Sequence, residues 1–132
     1  MKRFCSLWII PFGMIVSLTS PAFGKDIALH GIPTIQTRSS MEISHNVKLD
    51  GNQQLTNAVI ITKEGDRYFW ETRDRRELLL KRGKQFDLFI DPETGGYIKV
   101  IEQDGQFVYM EHISIKKLKA FTYWGKMIVY NP

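Results

Sequence analysis

The side chains best suited to chemistry are three histidines, His30, His45 and His112, and a single cysteine, Cys5. Glu111-His112 is the one place where a carboxylate abuts a histidine. Both residues sit in a stretch that reads as a strand, where neighbours point to opposite faces, so they are not expected to act as an acid–base pair. His112 therefore reads as a surface or hydrogen-bonded histidine. His45 shares its parity with Met41, Ile43, Val47 and Leu49, which predicts a hydrogen-bonded core histidine. No H-E-x-x-H spacing, nucleophile elbow, phosphate-binding loop or dinucleotide fingerprint is present. The acidic turns Asp91-Pro92-Glu93 and Asp104-Gly105 lack calcium-loop spacing. Ser39, Ser40, Ser44 and Ser114 have no recognisable base. The expectation is a protein with no catalytic residues, no metal and no cofactor.

Two other features are unusual. The first is a charged run, Glu71, Arg73, Asp74, Arg75, Arg76, Glu77, Lys81, Arg82 and Lys84, in which six of nine residues are basic. It reads either as a solvated or blunted edge or as a contact surface for an anionic partner. On the second reading Arg73, Arg75, Arg76, Lys81 and Arg82 form a basic rim, with Phe69 beside them as an exposed aromatic anchor. The second feature is strands apolar on both parities. Phe69 alternates with Arg67, Glu71 and Arg73, and so should face outward while Tyr68 and Trp70 face in. Phe107, Tyr109 and Ile113 oppose Val108 and Met110; Phe121 and Tyr123 oppose Leu118, Ala120 and Trp124. Such strands are normally covered on both faces, by the N-terminal lead-in, a second subunit or a binding partner. Phe69, Tyr109 and Tyr123 therefore either join one outward apolar patch or are individually covered.

The elements that must position these residues follow an N-terminal address. Lys2 and Arg3 precede an uncharged run from Phe4 to Gly24, whose apolar part, Phe4 to Leu18, spans 15 residues. Ala22-Phe23-Gly24 is a small-x-small exit before Lys25. This pattern predicts a cleavable signal peptide over residues 1–24, since the apolar run falls short of the ~20 residues of a membrane span. Cys5 lies at the start of the run and would leave with it, so no lipid anchor is expected. Removing 24 of 132 residues leaves 108, with 16 basic and 14 acidic side chains. That balance gives no case for nucleic acid, and the mature chain has no cysteine for a disulfide or a thiolate zinc site.

Lys25 to Ser40 reads as an irregular lead-in, because Gly31, Pro33 and a polar run interrupt any period. Beyond it, residues 41–132 read as a single β-rich domain. Met41 to Leu49 alternates, and short strands follow at Ala58–Thr62, Arg67–Arg73, Glu77–Arg82, Phe86–Ile90, Tyr97–Glu102 and Phe107–Ile113. Leu118–Trp124 and Met127–Tyr130 finish the chain around Gly125. Gln103-Asp104-Gly105-Gln106 is a hairpin signal. Asp74-x-x-Glu77 has capping-box spacing, so a short helix near residues 75–82 competes with a strand, and the strand is the better fit to its neighbours. The fold class expected is all-β, an antiparallel meander closing as a barrel or sandwich, with Tyr68, Trp70, Leu78, Leu80, Ile98 and Val100 in the core.

Together these readings predict a periplasmic or secreted β-domain that binds another macromolecule of the cell envelope, as an inhibitor, an immunity-type protein or an assembly accessory. The partner would be a protein or an anionic envelope component, a homodimer being compatible with the pattern. The alternatives are a carrier of a small apolar ligand inside a barrel and, behind it, an unrecognised hydrolase using Glu111 or His112.

Overall fold

The computed structural model describes residues 26–115 and 119–130, so the signal-peptide reading of residues 1–24 lies outside the described residues. Nine strands and one helix follow in chain order: β1 (Asp26–Ser39), β2 (Ser44–Lys48), α1 (Gly51–Thr56), β3 (Val59–Glu64), β4 (Arg67–Trp70), β5 (Arg76–Arg82), β6 (Asp87–Ile90), β7 (Tyr97–Gln103), β8 (Gln106–Ile115) and β9 (Lys119–Val129). From β3 to β9 each strand pairs antiparallel with the next, and β1 pairs with both β3 and β9. Eight strands thus close a barrel, while β2 extends the far half of β1. Closure removes the sheet edges that an open meander would leave.

Local chemistry sets the turns. Asp104 and Gly105 both have positive φ, 53° and 79°, as a two-residue I′ hairpin requires. Gly65, at φ 60°, opens the β3–β4 turn. The expected alternative of a helix near residues 75–82 is not what forms: that segment is strand β5, and the helix lies instead at Gly51–Thr56. Asp50 accepts from the Gln53 amide at 2.9 Å, and Gln53 accepts from the Asp50 amide at 2.9 Å. The spacing Asp50-x-x-Gln53 was the signal for this capping box.

The expected lead-in is the largest correction, because it forms β1, the strand that closes the barrel. Two irregularities hide its period. Ala28 is skipped in the register with β3, and Thr34 in the register with β9. The second bulge shifts the inward row from Leu29, Gly31 and Pro33 to Gln36. Pro33 is tolerated there because a bulge asks less of the ladder. Opposite it, a Cβ on Gly125 would run into the Ile32 carbonyl and lie 2.6 Å from the Pro33 Cα, so glycine permits the close approach. Gly125 therefore continues β9 instead of breaking it.

Trp70, Leu78, Ile98 and Val100 are in the buried core, with Tyr68 and Leu80 packed against it. Each fully buried side chain of this size contributes roughly 1.5–3 kcal/mol. The Met41–Leu49 expectation is corrected in part: Leu49 is buried, but Met41, Ile43 and His45 are exposed. The reason is topological, since among the described residues β2 pairs with β1 alone and no second layer covers it.

Candidate functional site

The inward rows divide the barrel interior into two ends. At one end they finish in polar residues: Gln36, Trp70, Arg76, Asp91, Glu111 and Tyr123. Arg73, from the β4–β5 connection, donates to Glu111 Oε2 at 3.1 Å and lies 5.7 Å from the Tyr123 ring. Gln36 donates to the Tyr123 hydroxyl at 2.9 Å and accepts from Arg38 at 2.6 Å. Arg76 approaches Asp91 at 3.5 Å and Glu93 at 2.8 Å. Asp91 also accepts from Thr94 at 2.7 Å and from the Glu93 amide at 2.9 Å. Burial opposes ionisation of Asp91, but these hydrogen bonds and Arg76 outweigh it and hold the carboxyl below its ordinary value. This end is a charged plug.

Glu111 lies at the centre of the plug with no solvent exposure, whereas Arg73 is 31% exposed. Desolvation dominates and raises the Glu111 carboxyl to about 7, against the opposing pull of Arg73 and the Trp70 indole. Tyr109 is raised as well, first by burial and then by the charge of Glu111. Trp70 Nε1, Tyr109 Oη and Glu111 Oε1 make no well-formed hydrogen bond. Glu111 stands in the inward row of Phe107, Tyr109 and Ile113, and that lone acid in an aromatic row is the signal that sequence reading passed over. As the strand argument requires, it faces away from His112, which bonds Thr122 Oγ1 at 3.0 Å and stacks on Tyr97 at 5.2 Å.

The six residues proposed as a binding surface are not gathered on one face. Arg73 and Arg76 enter the plug, and Arg82 lies at the opposite end of the barrel, 2.8 Å from Asp87. Lys81, Phe69 and Arg75 are on the outer side. Phe69 does point outward, but it is only 5% exposed, which corrects its reading as an exposed anchor. The Arg75 and Arg67 guanidiniums cover its ring at 4.1 and 5.1 Å. They are fixed in turn by carboxylates, Arg75 by Glu64 and Glu71 and Arg67 by Glu77. Asp74 and Arg75 have φ of 57° and 53°, a left-handed pair that costs of order 1 kcal/mol per non-glycine residue. That turn aims Arg73 inward and lays Arg75 over Phe69.

The outward apolar patch exists, but not where the sequence placed it. Tyr109 and Tyr123 are buried inside the barrel. The exposed face is their opposite parity: Ile35 beside Trp124 beside Met110, then Ile32 beside Lys126 beside Val108, then His30 beside Ile128. Ile35, Trp124 and Ile128 are each 40–45% exposed, and Ile27 at the end of the same face is 50% exposed. The patch crosses β1, β9 and β8, with Lys126 and His30 as its polar members.

At the other end of the barrel the interior opens. A cavity of about 150 Å³ lies among Leu29, Phe89, Val100 and Phe107, with Lys63, Arg82 and Asp87 at its mouth. Among the described residues no cluster of histidine, cysteine, aspartate or glutamate could hold a metal ion, and no helix is long and apolar enough to cross a membrane. Comparison with protein-family models, curated proteins and solved structures finds no match.

Proposed function

We propose that the protein is an exported β-barrel that acts by binding another macromolecule of the cell envelope, as an inhibitor, an immunity-type protein or an assembly accessory. The observation that supports this reading is the outer face of β1 and β9, where Ile35 pairs with Trp124, Ile32 with Lys126 and Ile128 with His30. On that face Ile35, Trp124, Ile128 and Ile27 stand exposed. Grouped apolar side chains with a few polar neighbours are the usual composition of a binding patch, whereas scattered ones need no explanation. The charge carried into the reading is small, because Arg67, Arg73, Arg75, Arg76 and Arg82 all face carboxylates. Export is inferred from the signal-peptide pattern of residues 1–24 alone.

The test compares wild type with an Ile35→Ser/Ile128→Ser variant as bait for envelope extract. A discrete partner retained by wild type and lost by the variant, at an unchanged unfolding midpoint, supports the reading. Equal recovery by both, or nothing above background, overturns it. A second reading, a carrier of a small apolar ligand, is favoured by the cavity at the open end.

A further inference from the structure

The open end is built to admit a guest. Leu29, Phe89, Val100 and Phe107 arrive from four strands, and their inward rows continue past the core into charged residues. Lys63 follows Val59 and Ile61 on β3, Arg82 follows Leu78 and Leu80 on β5, and Asp87 precedes Phe89 on β6. The bulge at Ala28 bends β1 at this rim and sets Ala28 in the cavity wall beside Leu29. Arg82 and Asp87 satisfy each other at 2.8 Å. Lys63 forms no salt bridge among the described residues, although Asp26 is its register partner, and its ammonium lies 5.6 Å from the Tyr68 ring centre. The lining therefore carries one surplus positive charge at its mouth and apolar walls below it.

Resting on the carrier reading, we propose that this cavity binds a small amphiphilic carboxylate, with the apolar body among Leu29, Phe89, Val100 and Phe107 and the carboxylate at Lys63. The volume sets the size of the guest. About 150 Å³ of space, apolar below and polar at its mouth, is enough for a molecule the size of benzene, so a six-carbon chain or a single ring fills it. Longer acyl chains would have to project into solvent. A guest this small binds with a dissociation constant on the order of 1 mM.

The probes are hexanoate and hexan-1-ol, added to the purified protein and followed by amide chemical shifts. Hexanoate should shift resonances at Leu29, Lys63, Phe89, Val100 and Phe107, and bind about fivefold more tightly than hexanol, the value of one partly exposed charge pair. Lys63→Met should remove that preference and leave hexanol affinity unchanged. Val100→Phe, and Ala28→Leu should the first not fold, fills the cavity and should abolish both. If hexanol binds as tightly as hexanoate, or Lys63→Met changes nothing, anion selection is wrong and the carrier reading stands. If neither probe binds, both fall.

Discussion

Replacing Glu111 by glutamine should flatten the pH dependence of stability across neutrality. The wild-type carboxyl moves from an ordinary 4.5 to about 7 on folding, chiefly through desolvation. At 1.36 kcal/mol per pKa unit, that amounts to about 3 kcal/mol. Between those two values the folded protein keeps a proton that the unfolded chain has released, so stability falls as pH rises. Below 4.5 both states are protonated and the effect vanishes; above about 7 the whole penalty is present. Asp91 works in the opposite sense, since its lowered carboxyl loses stabilisation only as pH falls below 3.8, outside this window. Glutamine preserves the shape and an acceptor for Arg73, whose partial exposure lets water solvate the unpaired guanidinium. Urea unfolding from pH 4.5 to 8.5 should show wild type and Glu111→Gln nearly equal at the acid end. The variant should be more stable by up to about 3 kcal/mol at the alkaline end. Parallel profiles would refute the account of Glu111 as a desolvated acid in the barrel interior.

Phe69→Ala should cost about 2 kcal/mol, less than a central core aromatic, because the ring is buried under two guanidiniums on the outer side. Thermal unfolding measures that loss, and an unchanged midpoint would mean the arginines do not seal the ring. Gly125→Ala should cost about 3 kcal/mol or more, since its Cβ meets the backbone of Ile32 and Pro33 and only a displaced strand relieves the clash; wild-type stability in chemical denaturation would contradict this. Asp50→Ala should remove a cap worth about 1 kcal/mol, but α1 has no buried residue. Faster amide exchange at Gln53 and Gln54 with a nearly unchanged midpoint is therefore expected, and a large drop in midpoint would show that α1 supports the barrel.

The meander from β3 to β8 was legible because each strand keeps one parity and because β3, β5, β6 and β7 are each followed by glycine or aspartate. The core positions Trp70, Leu78, Ile98 and Val100 follow directly from that alternation. β1 was not legible, because two bulges reset its parity and Gly31 and Pro33 look like breakers. Gly31 is in fact the floor against which Tyr109 packs, a Cβ there falling 2.6 Å from the ring. The fate of the arginines could not be read either. Arg73 meets Glu111, remote in sequence, only across the closed barrel, and Arg76 meets Asp91 only through the pairing of β5 with β6. Arg75 and Arg82, by contrast, also have carboxylates close in sequence. The outer patch was anticipated as a property of two-sided strands but assigned to the wrong parity, since both Tyr109 and Trp124 are aromatic and only burial separates them.

The central claim, that the outer face of β1 and β9 engages a partner, is tested most directly by site-specific photo-crosslinking in the producing cell. A photoreactive side chain would replace Ile32 or Ile128 on that face, and Lys81 on β5 across the barrel as the control. The account predicts a discrete adduct from positions 32 and 128 and none from position 81. Adducts from all three alike, or from position 81 alone, would contradict it.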